Sequence, residues 1–140
     1  NYDVDFVFLS NSKRYNQLFI NNDCHMKNWD VIATSNITES LIKIDYRINY
    51  RSLINMEKRI IDNSTLMLMF LLKKLNIKNL AIAGFDGFNT ISNNDYVNEF
   101  MNFGNLSDDS KDRNILISNV IEELKQHLEI KFITPTNYTI

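Results

Sequence analysis

Asp86 stands inside the run Gly84-Phe85-Asp86-Gly87, in a chain with only three glycines. A carboxylate placed this way has two uses. It can accept hydrogen bonds from ligand hydroxyls, with Gly84 allowing a sharp turn or close approach and Gly87 a positive φ. Alternatively it caps its own turn, and the glycines are turn chemistry. The run is not a dinucleotide fingerprint, because the G-x-G-x-x-G spacing is absent. Three other short stretches carry binding groups: Ser10-Asn11-Ser12, Thr34-Ser35-Asn36 and Asp62-Asn63-Ser64. They are rich in amides and hydroxyls, the groups that hold a sugar or a phosphate. His25 and His127 lie far apart, and no Cys/His/carboxylate spacing suggests a metal. No serine stands in a nucleophile elbow. No cofactor and no metal are expected for this segment.

These groups need elements to position them. The stretch "DFVFLS" (5–10) is β-rich and bounded by Asn-Ser, which predicts a strand. Tyr15, Leu18 and Phe19 recur at helical spacing in "NSKRYNQLFINN" (11–22). "WDVIATSN" (29–36) reads as a second strand ending in a turn. Residues 40–50 alternate Ile42, Ile44, Tyr46, Ile48 and Tyr50, the period of a half-buried strand at an edge. Residues 51–61 read as loop or short helix.

The clearest helix is "DNSTLMLMFLLKKLNIK" (62–78), with cap oxygens on Asp62, Asn63 and Ser64 and apolar residues on nearly every face. It is expected to be buried, Leu68 and Phe70 included. "KNLAIAGF" is apolar on both faces, as an interior parallel strand should be. Residues 89–109 read as polar loop with a short helix around "YVNEFMNF". The segment 108–128 reads as an amphipathic helix with Ile115, Leu116, Val120, Ile121, Leu124 and Leu128 inward. "EIKFITPTNY" is a last strand, stopped by Pro135.

Strands alternating with helices predict an α/β fold, a three-layer Rossmann-like arrangement with a mainly parallel sheet, as a single domain over residues 1–140. In such sheets ligands bind beyond the carboxyl ends of the strands. The stretches at 10–12, 34–36 and 84–87 fall there, with the helix start at 62–64 near the same edge.

Composition narrows the partners. With 44% hydrophobic residues, the chain is long enough to bury a core. A net charge of −2 gives no footprint for nucleic acid or for an anionic membrane surface. Cys24 is alone, which fits a reducing cytosol, so a cytoplasmic protein is expected. The longest apolar run, "LMLMFLL", is too short to span a bilayer. No signal peptide is visible. The chain opens on "NYDVDFVF" without Met, which reads as a piece of a longer protein.

The succession "FVFLSNSKRY", "VIATSNI", "DNSTLMLMFLLKKLNIKNLAIAGFDGF" and "IKFITPTNY" resembles a particular C-terminal domain. That domain follows the barrel in bacterial aldolases of the 4-hydroxy-2-oxovalerate aldolase and HMG-CoA-lyase-like class, associated with surface-polysaccharide loci. The resemblance covers nearly the whole chain. It implies an upstream aldolase barrel in the parent protein, a lyase. The barrel and its metal-binding His-x-His are absent here, so this fragment is not expected to catalyse aldol cleavage alone.

The helix–strand–Gly-Phe-Asp-Gly unit also distantly resembles bacterial lipooligosaccharide sialyltransferases. That resemblance matches Ser64, with Thr65 where a glycine is expected, and Gly84 and Asp86. Phe88 stands where a phosphate-contacting tyrosine is expected, and Tyr96 matches a second such tyrosine. Asn11 and Ser12 resemble a nucleotide-contacting Asn-Pro-Ser without its proline, and Ser35-Asn36 resembles another rim segment. The expected general-base histidine is missing, as is a glycine-rich first strand.

The implied ligand site is therefore Asn11, Ser12, Ser35, Asn36, Asn63, Ser64, Gly84, Asp86, Gly87 and Tyr96. Its implied occupant is a nucleotide, a sugar nucleotide or a phosphorylated sugar. Three functions follow: an accessory ligand-binding domain of an aldolase-like protein, a sialyltransferase-like glycosyltransferase, or a non-catalytic structural or dimerisation domain, which would make a homo-oligomer.

Overall fold

The computed structural model describes residues 4–20, 29–38, 43–88 and 107–140. The elements run β1 (Phe6–Leu9), α1 (Ser12–Ile20), β2 (Asp30–Thr34), β3 (Tyr46–Ile48), α2 (Ser64–Lys74), β4 (Asn79–Ile82), α3 (Ser107–Lys125) and β5 (Glu129–Phe132). Two 3-10 turns, Tyr50–Ser52 and Lys58–Ile60, fill the ambiguous stretch before α2. The protein is α/β with parallel sheets. The helix expected around "YVNEFMNF" and the residues at 39–42 lie outside the described residues.

The chain forms two compact units, Asn1–Met56 with Ile61–Leu68, and Glu57–Ile60 with Met69–Ile140. The first holds a parallel sheet ordered β1-β2-β3, in which Phe8 pairs with Ile32 and Ile32 with Tyr46. Alternation sends Val7, Leu9, Val31 and Ala33 to one face. Leu9, Val31 and Ala33 bury there with Tyr15 of α1 and Ile37, flanked by Val7, Trp29 and Ile44. On the other face Phe6 and Tyr46 stay about half exposed, their ring centroids 6.4 Å apart.

β3 is the expected edge strand, but it is shorter than residues 40–50. Asp45 explains the late start. Its backbone N–H bonds Val31 O at 2.9 Å, while its carboxylate takes the Val31 N–H at 2.9 Å. A side chain thus occupies a donor that a longer strand would bond with its own carbonyl.

The second unit pairs β4 with β5 in parallel, Leu80 opposite Ile130. Among the described residues β4 has this one partner, and Asn79 and Ala81 are exposed. The expected two-faced interior strand is therefore buried on one face only, where Ile82 lies.

α2 begins at its expected cap. The Asn63 Oδ1 accepts from Leu66 N–H at 3.0 Å. Leu66, Met67 and Met69 are each 1% exposed, so burial is not confined to one face, but Leu68 and Phe70 are only half-buried. The helix ends when Asn76 takes φ 60°. Asn76 N–H then bonds Lys73 O and Ile77 N–H bonds Leu72 O, the paired closing bonds of a Schellman motif.

α3 is amphipathic, but its inner stripe differs from the expected one. Ile115 is 51% exposed, while Ser110, Asn114, Ile117, Ser118, Ile121 and Leu124 are buried. The stripe keeps helical spacing by taking polar residues inward, and two of these bond to irregular backbone. Apolar type alone therefore misassigned Ile115. Among the described residues no helix is long and apolar enough to cross a membrane.

Candidate functional site

The three strands of the first sheet are parallel, so their carboxyl ends share one edge. Leu9 leads into Ser10 and Asn11, Thr34 closes β2 before Ser35 and Asn36, and Ile48 leads into Asn49 and Tyr50. Asn11 caps α1, its Oδ1 accepting from Lys13 N–H at 2.9 Å and Arg14 N–H at 3.3 Å. Ser12 is the first residue of that helix. The Ser10 and Ser64 hydroxyls share a 2.7 Å hydrogen bond. That bond brings the start of α2, with its cap Asn63, to the end of β1.

Much of this rim is bonded to itself. The Asn36 Nδ2 donates to Ser10 O at 3.0 Å, and its Oδ1 accepts from the Thr34 hydroxyl at 2.6 Å. The Ser35 Oγ accepts from Tyr50 N–H at 3.1 Å, and Ser35 N–H bonds Ile48 O at 2.8 Å. Asn36 thus acts as a brace between β1 and β2. Donors remain. Among the described residues the Asn11 and Asn63 side-chain NH₂ groups have no protein partner, and the Ser35 O–H is free to donate.

Two helix starts in one unit add exposed N–H groups and a partial positive field. Neither α1 nor α2 has an acidic residue in its first turn to neutralise it. Burial raises the Tyr50 phenol above its ordinary pKa, and the Asp62 carboxylate adds to the effect, so Tyr50 stays a neutral donor at neutral pH. The arrangement suits a ligand rich in acceptor oxygens.

In the second unit Gly84 and Gly87 have φ of 72° and 88°. Open space surrounds a Cβ built at Gly84, but one at Gly87 would lie 3.1 Å from Asn114 Oδ1 and 3.3 Å from a Tyr138 ring carbon. The close approach that motivates a glycine is therefore at Gly87, and what approaches it is protein. Asp86 is exposed. The Thr134 Oγ1 accepts from Gly84 N–H at 2.9 Å and donates to Asp86 Oδ1 at 3.3 Å. The Asp86 carbonyl accepts from Asn137 N–H at 2.7 Å.

Asn11, Ser12, Ser35, Asn36, Asn63 and Ser64 thus gather in the first unit, and Gly84, Asp86 and Gly87 belong to the second. Tyr96 lies outside the described residues. Sequence reasoning missed Asn114, Thr134 and Thr136 as partners of the glycine turn. A polar residue at an inward helical position was the available signal for Asn114. Among the described residues no group of three metal-binding side chains occurs. No family model, no curated protein and no solved structure matches the chain.

Proposed function

We propose that this chain is the accessory C-terminal domain of a 4-hydroxy-2-oxovalerate aldolase-like protein, binding a nucleotide, a sugar nucleotide or a phosphorylated sugar at the rim of its first sheet. The single observation that carries the binding reading is the Ser10–Ser64 bond. It sets the capped start of α2 beside the capped start of α1, at the carboxyl edge of a parallel sheet. Exposed N–H groups and helix dipoles favour a phosphate there. The aldolase parentage and the link to surface-polysaccharide metabolism rest on the sequence resemblance, and a three-layer Rossmann-like arrangement rests on the alternation of strands and helices. Catalysis of aldol cleavage belongs to the parent's barrel, and residues 1–140 alone turn over no 4-hydroxy-2-oxo acid.

The test is calorimetry of the 140-residue chain against inorganic phosphate, nucleoside diphosphates, sugar nucleotides and sugar phosphates. Binding that weakens in Ser35→Ala and Asn63→Ala supports the reading. No heat from any of these ligands sinks it. A second reading, a structural domain, draws on the Thr134 hydroxyl bound to Asp86, because that contact gives the carboxylate a role within its own turn. In that reading none of these ligands binds, and Asp86→Ala lowers thermal stability because its turn loses the Thr134 contact.

A further inference from the structure

The buried polar stripe of α3 has no part in the proposed rim. Asn114 is 7% exposed, Ser118 5%. The Asn114 carboxamide accepts from Phe88 N–H and donates to Phe88 O, each at 2.8 Å. Both peptide groups of one residue are thus satisfied by one side chain, as a neighbouring strand would do. One helical turn on, the Ser118 Oγ donates to Asn114 O at 2.8 Å and accepts from Thr139 N–H at 3.0 Å.

The segment 134–138 holds the same glycine turn. The Thr136 Oγ1 donates to Phe85 O at 3.0 Å and accepts from Tyr138 N–H at 3.3 Å. Asn137 N–H bonds Asp86 O, and the Tyr138 ring packs 4.8 Å from that of Phe85. Gly87 lies where a Cβ would meet Asn114, Asn137 and Tyr138 together.

We propose that α3 and the C-terminal segment form a latch on the Gly84–Phe88 turn, with Asn114 as the positioning residue. The two elements converge on one turn and are bonded to each other through Ser118 and Thr139, so the latch opens as one step. It sets the direction in which Asp86 faces. A glycine at 87 suits the latch, since its φ of 88° strains a side chain and a Cβ there would press on the oxygen that holds Phe88, at 3.1 Å. The device does not depend on any ligand at the rim.

Amide hydrogen exchange on the 140-residue protein tests it. In Asn114→Ala the Phe88 and Asn137 amides exchange faster together, by on the order of tenfold or more, while amides of β1, β2 and β3 keep their protection. Coupling is reciprocal, so Thr136→Val, changed in the C-terminal segment, also speeds exchange at Phe88. Thr136→Ser, which keeps the hydroxyl, restores it. Acceleration confined to Phe88 in Asn114→Ala overturns the latch, because the bond is then merely local. Acceleration spread equally through the β1, β2 and β3 amides overturns it too, since Asn114 is then an ordinary core residue. If Asn114→Ala does not fold, unchanged Phe88 protection in Thr136→Val is decisive against it.

Discussion

Ser10 and Ser64 lie fifty-four positions apart in sequence, and their hydroxyls are 2.7 Å apart in space. Ser10 is 4% exposed, so its hydroxyl has little water to replace this partner. Removing it leaves Ser64 with other options, because Ser64 is exposed. Ser10→Ala is expected to cost about 1 kcal/mol in urea unfolding, and Ser64→Ala, which strands the buried Ser10 hydroxyl, about 1–3 kcal/mol. The pair should couple by about 0.5 kcal/mol or more in a double-mutant cycle. Strict additivity would mean that the start of α2 is not held at β1 by this bond.

Asn63 is a separate support for the same helix. Asn63→Ala removes the acceptor of Leu66 N–H and is expected to cost about 0.5–2 kcal/mol. Asn63→Asp keeps the acceptor and adds a charge that suits the dipole, so it should hold or exceed wild-type stability. Thermal melts of both variants check the contrast. Equal losses would show that the cap is not what Asn63 supplies.

Burial ranks the residues of α2. Met69 is 1% exposed and Leu68 only half-buried. Met69→Ala should cost about 2–5 kcal/mol through lost transfer energy plus a cavity. Leu68→Ala should cost clearly less, since part of its surface is already in water. Denaturant titration of the two variants gives the order, and a larger loss at Leu68 would reverse it.

The two glycines of the turn should respond unequally. Gly84→Ala meets open space but a φ of 72°, a strain of about 1–2 kcal/mol. Gly87→Ala carries the same kind of strain and also contacts at 3.1–3.3 Å, so its cost should be the larger. Equal melting shifts would refute the crowding at Gly87.

Asp45 provides a pH test. Its hydrogen bond from Lys43 holds the carboxyl below its ordinary 3.8, and the Val31 N–H adds to this. A depressed folded value means that Asp45 stabilises above the ordinary carboxylate range. That contribution is lost as pH falls through about 3.8 and below. Asp45→Asn should therefore flatten the acid side of the stability profile and leave the shape above pH 5 unchanged, as read by urea midpoints. An unchanged acid limb would show that Asp45 titrates alike in folded and unfolded chains.

Local chemistry in the sequence was enough to place most elements. Asn63 announces its helix because a short side chain can reach the orphan N–H groups one turn on, and that geometry needs no tertiary partner; Asn11 caps α1 in the same way, although apolar spacing alone marked that helix in the sequence. The parallel pairing of β1 with β2 and of β4 with β5 follows from the helices between them, whereas β2 and β3 pair in parallel with no helix among the described residues of their connection. The apolar spacing that marked Ile121 and Leu124 as core is likewise local, and both are buried.

Tertiary structure decided what the spacing left open. Ile115 and Asn114 are neighbours in sequence, and hydropathy favours burying Ile115. The folded chain buries Asn114 instead, because Phe88, twenty-six residues away, presents a peptide group that only a donor and acceptor together can satisfy. Asp45 stops a strand early by bonding Val31, a partner that periodicity cannot name. The turn at Gly84–Gly87 was legible as a turn from its glycines, whose free φ is a property of the residue. Thr134, Thr136 and Tyr138 as its partners were not, since contacts across some fifty residues are set by how the chain returns and not by any local pattern.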